Sequence, residues 1–428
     1  MIAVSAEKTQ ENVNKLKTLF VISNEFCYIS SQISKEGLHV LSYREQYIER
    51  YAGAETVERK HGDKQETIMC VIPPTLAEQE IRLEISFDLN NFKQGQYGEF
   101  SLNGFLNRYL AGSRSLKESR SVSRKRLALV SSGIGFVDPE AIDLVTQMAR
   151  YQQAREILAA NKQLSRQKLL NVNRLLEAEH KKAGNIRKNQ NWIGGKSAAT
   201  AYYVCPPAER VEALIGDWLD FINNADLAEE VIAIVGHNQL LNIHPFVDGN
   251  GRTGRVFLQS RLEQKYGDII HPSLYRLHKP KDTYVDAIQS SLKPESFNAP
   301  IHSYWQESLS WGDRLKRRMY QILADGQGKL NARLAMRALS ANGKKLLDHL
   351  WVQPIVCEKG LFKHFGWDFF SAQTAIQELI NYKILEARRL RQPEGAIIYD
   401  CPLMFATWQQ LDDAIFLKEA EIDAAQAI

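Results

Sequence analysis

Hydrophobic positions follow two regimes along the chain. Up to about residue 110, helical stretches mix with short strand-like runs, Thr67–Ile72 and Ile81–Phe87. The second run alternates apolar and polar residues as a half-buried strand should, so residues 1–110 are expected to be an α/β region. From Asp138 to about Ser310 the spacing turns helical. Pro139 marks a helix start, Leu144, Val145 and Met148 share a face, and Leu169, Leu170, Val172, Leu175 and Leu176 recur at similar intervals. Between these helices Asn191–Val204 reads NWIGGKSAATAYYV, two short extended runs about Gly194-Gly195 closed by Pro206-Pro207, which predicts an exposed hairpin. Asp226-Leu-Ala-Glu229 predicts a capping box, and Val231, Ile232, Ile234, Val235, Leu240 and Leu241 predict a buried helix running into His244. The polar stretch DGQGKLNAR from Asp325 predicts a domain boundary, with a new helical pattern from about Leu334. Lys344–Tyr399 then reads as three helices and two strands with a turn at Pro393-Glu394-Gly395. The expected organisation is 1–110, 111–325 and 335–428, mainly α.

Composition changes this picture little. The chain has 428 residues, 44% hydrophobic and 24% charged, enough for roughly two to four globular domains. Its net charge of +4 imposes no global field, so neither nucleic acid nor an anionic membrane is demanded as partner and any basic site must be local. The N-terminus lacks a basic stretch followed by an apolar one, and no run approaches the ~18 apolar residues of a membrane span, so a cytoplasmic protein without membrane contact is expected. Cys27, Cys70, Cys205, Cys357 and Cys401 are odd in number and dispersed, which indicates neither a disulfide framework nor a cysteine zinc site.

Candidate chemistry concentrates in His244–Arg255, HPFVDGNGRTGR. Pro245 disfavours helix at His244, and Gly249 and Gly251 free the backbone to turn its amides inward. From about Gly251 a helical pattern resumes, so those amides stand at a helix N-terminus, where orphan donors and the dipole favour phosphate. Arg252 and Arg255 are unfavourable there by ~0.3–1 kcal/mol each, which suggests an anion that compensates them. An imidazole ordinarily titrates near neutrality, so His244 can take a proton from an attacking hydroxyl. Asp248 offers a hard oxygen for Mg²⁺. Asn250 and the loop amides can hold a phosphate while the arginines absorb charge.

The same residues resemble the signature of the Fic family of protein AMP-transferases, H-x-F-x-D/E-G-N-G-R-x-x-R, at every specified position. The segment Gly184–Gly194 resembles the family's approach to its target-docking flap, and the helices of Asp138–Ser291 resemble the Fic core. The resemblance implies transfer of AMP from ATP to a Ser, Thr or Tyr hydroxyl of a protein, with the chain itself among the candidate targets. It makes His244 the base and Asp248 the Mg²⁺ ligand. Gly249, Asn250 and Gly251 become the anion hole, and Arg252 and Arg255 the phosphate ligands. It makes Trp192–Tyr203 the flap, although Trp192, Tyr202 and Tyr203 read equally well as hairpin packing; Tyr284 and His237 read as core residues.

Family members also move phosphate, UMP or phosphocholine, and removal of AMP by the same site is a further alternative. Many carry an inhibitory helix, S/T-x-x-x-E-G/N, whose Glu pairs with the second arginine. Two stretches compete for it: Ser131–Phe136, with Gly135 where the Glu would stand, and Ser113–Ser119, which keeps Glu118. Lys344–Tyr399 resembles a winged helix. Its third helix, Ser371–Tyr382, has no Lys or Arg, whereas Arg388, Arg389 and Arg391 cluster in the wing. Protein interaction or a homodimer is therefore expected ahead of DNA binding.

Overall fold

A computed structural model describes residues 33–34, 37–38, 42–62, 66–85, 95–112, 121–160, 163–335, 337–418 and 422. The chain divides into two compact units, Met1–Ala52 and Gly53–Ile428. In the first, β1 (Ile33–Ser34) pairs antiparallel with β2 (Gly37–Leu38), and α1 (Tyr43–Arg50) begins at a Ser42/Glu45 capping box.

The second unit is mainly helical and holds the functional residues. Its first element is an antiparallel hairpin, β3 (Glu55–His61) and β4 (Glu66–Ile72), with Val57 opposite Cys70. The expected Thr67–Ile72 strand is β4. Ile81–Phe87 differs: over the described residues 81–85 there is a single bridge, Glu84 with Pro300, and no ladder. Ile81, Leu83 and Ile85 do pack on the core, so the alternation reports a half-buried extended segment that lacks a neighbouring strand.

Helices follow: α2 (Leu102–Leu110), α3 (Arg124–Ser131), α4 (Pro139–Ala159), α5 (Arg166–Leu176), α6 (Val211–Asn224), α7 (Glu229–Ile243) and α8 (Asn250–Tyr266). Asp138 caps α4 by accepting from the Ala141 amide, with Pro139 in the first turn, where a missing N–H costs nothing. The predicted capping box at Asp226 does not form. Helix α7 starts at Glu229, whose carboxylate is engaged by Arg261 of α8 and so does not reach back to cap. Helices α7 and α8 pack closely beside α6. Trp218 is fully buried between them with its indole N–H on the Gly236 carbonyl, and a Cβ at Gly236 would lie 3.0 Å from both Ile222 and Phe257.

Beyond α9 (Lys281–Gln289), one helix, α10 (Ser303–Leu334), runs unbroken for 32 residues. The polar stretch expected to mark a boundary lies inside it: Gly326 faces Thr407 and Trp351, which leave no room for a larger residue. The remaining elements are α11 (Ala341–Leu350), β7 (Ile355–Val356), α12 (Glu358–Phe365), α13 (Phe369–Asn381), β8 (Glu386–Arg389), β9 (Ile397–Asp400) and α14 (Pro402–Ala414), with sheet order β7-β9-β8. Helix α14 returns onto α10, so the C-terminal elements share one apolar core with the rest. A buried ionic knot fastens this return. Asp412 accepts from Arg124 through both oxygens (3.0 and 2.8 Å), from Arg108 (3.3 Å) and from the Tyr109 hydroxyl (2.7 Å). Two guanidiniums hold its carboxyl below the usual range against the opposing effect of burial.

Candidate active site

The HPFVDGNGRTGR segment is the junction of α7 and α8. His244 caps α7 in a left-handed conformation (φ 51°, ψ 59°), which costs an L-residue about 1–2 kcal/mol and survives only where neighbours fix it. Arg187 does so. It is 3% exposed, and its guanidinium donates to the carbonyls of His244 (2.8 Å), Pro206 (2.6 Å), Asn189 (3.1 Å) and Ile243 (3.4 Å). Its own amide donates to Pro245, and Ile186 bridges Phe246, so residues 186–187 run antiparallel along the loop.

The imidazole of His244 is half-buried, with Nδ1 3.3 Å from the Leu241 carbonyl. A carbonyl can only accept, so Nδ1 carries the proton and Nε2 keeps its lone pair. Burial pushes the ring down to about 4, with Arg187 adding to the effect, so it is neutral at pH 7. Asp248 is exposed; its Oδ1 accepts from the Gly249 amide (2.6 Å), leaving the other oxygen outward as a hard donor of the kind Mg²⁺ takes with water and phosphate. That donor set fits Mg²⁺.

Gly249, the N-cap of α8, has φ +80°, and a Cβ there would fall 2.2 Å from Glu177 Oε1. Only glycine fits, and it has no side chain to cap the first-turn amides, which stay available to an anion. At Gly251, by contrast, a Cβ would meet only Arg255 Nη1 at 3.4 Å. Asn250 is 2% exposed and latches the loop on itself: Oδ1 accepts from the Phe246 amide and Nδ2 donates to the Phe246 carbonyl, both at 2.9 Å. Its amide is thus occupied in shaping the anion loop, a different task from the phosphate contact expected of it.

The two arginines are anchored differently. Arg252 pairs with Glu177 (2.6 Å) and donates to the Leu176 carbonyl, at the end of α5. Burial pushes the Glu177 carboxyl up; Arg252 opposes this and Asp248 reinforces it. Arg255 donates to the carbonyls of Leu110 (3.1 Å) and Gly112 (3.3 Å), at the negative end of α2. Among the described residues no carboxylate pairs with it. The seat of Arg255 thus lies at the join of the expected 1–110 and 111–325 segments, with Leu110 from the first and Gly112 from the second.

Sequence reasoning missed Glu177 and Asn173 altogether. Asn173 donates to the Asp248 carbonyl (3.1 Å) and Thr253 Oγ1 (3.3 Å) while accepting from the Gly184 amide (2.8 Å). Neither residue stands in a recognisable pattern; each earns its place by tertiary contact alone. Arg187 lay within a quoted segment without an assigned role.

The expected hairpin is present: β5 (Trp192–Ile193) pairs antiparallel with β6 (Tyr203–Val204), and Asn191 Nδ2 reaches the Phe246 carbonyl beside it (3.4 Å). Tyr203 is corrected from docking residue to core residue, being 1% exposed with its hydroxyl donating to the Asn242 carbonyl (2.6 Å). Tyr202 is half-buried, Trp192 packs edge-on against His61 (5.7 Å), and Ile193 is exposed. His237 and Tyr284 are core residues: the imidazole is fully buried between the Gly254 carbonyl (2.9 Å) and the Tyr284 hydroxyl (3.1 Å). Glu118 lies outside the described residues. Gly135 follows Ser132, whose carbonyl accepts from Cys357 Sγ, while Ile134 and Phe136 pack on Ile355 and Ile398. None of the contacts that fix Arg255 comes from this stretch.

Comparison with known proteins finds a family match over the segment that holds this junction. Residues 163–262 match the Fic/DOC family. Proteins named protein adenylyltransferase Fic from Drosophila willistoni and Drosophila melanogaster are 26% identical over 171 residues and 27% over 175. Each alignment covers 38% of this chain, and the chain spans about a third of the length of these relatives (32%). Among solved structures, Fic-1 from C. elegans aligns with a TM-score of 0.37 at 22% identity, covering 51% of this chain and 64% of that one. A Fic family protein from Desulfovibrio desulfuricans G20 aligns with 0.32 at 14%, covering 72% and 98%. With the α7–α8 junction intact inside the matched region, residues 163–262 form a domain of the Fic/DOC family.

Proposed function

We propose that the chain is a protein adenylyltransferase that moves AMP from ATP to a Ser, Thr or Tyr hydroxyl of a protein, itself included. The observation that carries this reading is the pairing of a neutral imidazole whose Nε2 is free with an uncapped helix N-terminus flanked by two anchored guanidiniums. In the proposed step the target oxygen attacks the α-phosphorus. Its proton passes to His244 Nε2, the bond to the pyrophosphate oxygen breaks, and pyrophosphate leaves with that electron pair. The first-turn amides of α8 hold the phosphate under attack, and Arg252 and Arg255 stabilise charge on the leaving group. Asp248 would hold Mg²⁺, which supplies charge neutralisation on the phosphates. Trp192 and Ile193 offer the exposed hairpin edge for an extended target segment. Removal of AMP, or transfer of another phosphate-containing group, would use the same residues.

We read the C-terminal elements as a winged helix for protein contacts, a homodimer included. Arg388, the first wing arginine, is already engaged by Asp400 (2.8 Å) and Glu386 (3.1 Å), which weakens its claim on DNA phosphate.

The test is incubation of the purified chain with labelled ATP, CTP, GTP and UTP, with and without Mg²⁺, alongside His244→Ala. Label from ATP should transfer in wild type and vanish in His244→Ala, with thermal stability nearly unchanged. Undiminished transfer by that variant would refute the base assignment.

A further inference from the structure

Far from His244 in sequence, three metal-ligating side chains converge from separate stretches. Glu99 lies in the turn ahead of α2, His349 near the end of α11 and His364 near the end of α12. One carboxylate oxygen and one nitrogen from each imidazole all lie within 4.8 Å of one another. Glu99 Oε2 is 2.9 Å from His349 Nδ1, and Oε1 is 3.8 Å from His364 Nε2. The two imidazoles lie face to face, with centroids 4.1 Å apart and planes inclined by 30°.

A hydrogen bond between Glu99 and His349 accounts for one of these imidazoles. It leaves the other unexplained, because 3.8 Å is beyond hydrogen-bond reach. A tetrahedral cation bound at ~2.0–2.2 Å brings its ligand atoms to roughly 3.3–3.5 Å from one another. The distances from Glu99 to His349 and to His364, made through different carboxylate oxygens, fall on either side of that value, and all three ligand atoms lie within 4.8 Å, so side-chain rotations would seat an ion between them.

The backbone under the cluster is fixed. Gly98 has φ +52°, and a Cβ there would fall 2.4 Å from the Asp348 carbonyl oxygen, to which the Glu99 amide donates at 3.2 Å. Glu99 and His349 are thus held in register by their immediate neighbours. Phe365 stands edge-on to both imidazoles (4.5 and 5.4 Å) and stacks on Trp367 (4.3 Å, 18°), forming a rigid aromatic wall. The His349 side chain is 10% exposed, whereas those of Glu99 and His364 are 40% and 46% exposed, so an ion and a completing water can enter from solvent.

We propose that Glu99, His349 and His364 form a zinc site, with water as fourth ligand. Two imidazoles and one carboxylate suit a borderline-soft divalent ion, while Mg²⁺ and Ca²⁺ prefer all-oxygen shells. The ion clamps the turn ahead of α2 to the C-terminal helices. Helix α2 runs from this clamp to the carbonyls that seat Arg255, so the zinc steadies the strut beneath that arginine. The proposal is independent of the transferase reading.

The experiment uses the full chain, stripped with chelator, and titrates zinc against a competing chromophoric chelator while melting is followed in parallel. Wild type should take up one equivalent, and its melting temperature should rise with zinc and not with Mg²⁺. His364→Ala, at a half-exposed position, and Glu99→Gln, which keeps the hydrogen bond to His349, should each bind at least tenfold more weakly and lose that rise. Failure of wild type to bind at about 100 μM zinc would overturn the proposal. So would wild-type affinity in both variants, which would assign the zinc to other histidines.

Discussion

Arg187 touches no reacting atom in the proposed step, yet the loop conformation rests on it. Four donated hydrogen bonds from a buried guanidinium, at ~1.5–3 kcal/mol each, would contribute at least about 6 kcal/mol. Among the described residues no carboxylate pairs with it, and burying a bare guanidinium costs several kcal/mol in return. Burial accordingly holds its pKa below the ordinary value. Arg187→Met keeps the length and apolar volume of the stem while leaving the Pro206, Asn189 and His244 carbonyls without that donor. The net loss should be about 3 kcal/mol, read as a fall of about 5 °C in melting temperature for a chain of this size. The left-handed turn at His244 would relax, and misplacing the base by about 1 Å costs on the order of a hundredfold in kcat. KM for ATP should change far less, because Arg252 and Arg255 are seated on Glu177, Leu110 and Gly112 instead. Arg187→Lys should fall between wild type and Met. Melting within about 1 °C of wild type, together with unchanged turnover in Arg187→Met, would refute this account.

Other expectations follow from the same geometry. His237 and His244 are each pushed to about 4 by burial, while an unfolded histidine titrates near 6.5, so the unfolded chain takes up protons first as pH falls. Their contribution to stability is complete above about pH 6.5 and is lost toward pH 4, by ~3 kcal/mol for the fully buried His237; denaturant titrations between pH 7 and 4.5 measure it. The acid limb of kcat/KM for label transfer should likewise lie nearer pH 4 than 6.5, and a limb at 6.5 would show that His244 titrates as a free imidazole. Gly135→Glu should leave self-labelling unchanged, since its neighbours pack on β7 and β9, whereas Glu118→Gly should raise it; the reverse pattern in a labelling assay would restore the alignment on Gly135. Replacing Arg388, Arg389 and Arg391 by Ala should alter duplex affinity little, and tight, steeply salt-dependent binding by wild type would return DNA to the list of partners.

The loop His244–Arg255 was legible from sequence because its chemistry is contiguous. Turn-forming glycines, a proline, an acid and two arginines within one helix-to-helix junction constrain backbone and charge together. The helical spacing from Asp138 onward and the hairpin at Trp192 were legible for the same reason, since periodicity and turn chemistry are local properties. What holds the loop was not. Glu177, Asn173, Arg187 and the carbonyls of Leu110 and Gly112 reach it from 57 to 145 positions away, as the longest of these bonds, Arg255 to Leu110, and the shortest, Arg187 to His244, record. The unbroken helix through Gly326 and the extended run at Ile81 show the same limit from the other side: a polar, glycine-bearing stretch stayed helical because Thr407 and Trp351 pack against it, and an alternating run forms, over its described residues 81–85, a single bridge from Glu84 to Pro300 and no ladder. Local pattern marked which atoms are candidates for chemistry and which segments coil. Only the tertiary fold decided what those atoms lean on, because a hydrogen bond or a buried pair depends on distance in space and is silent in the order of the chain.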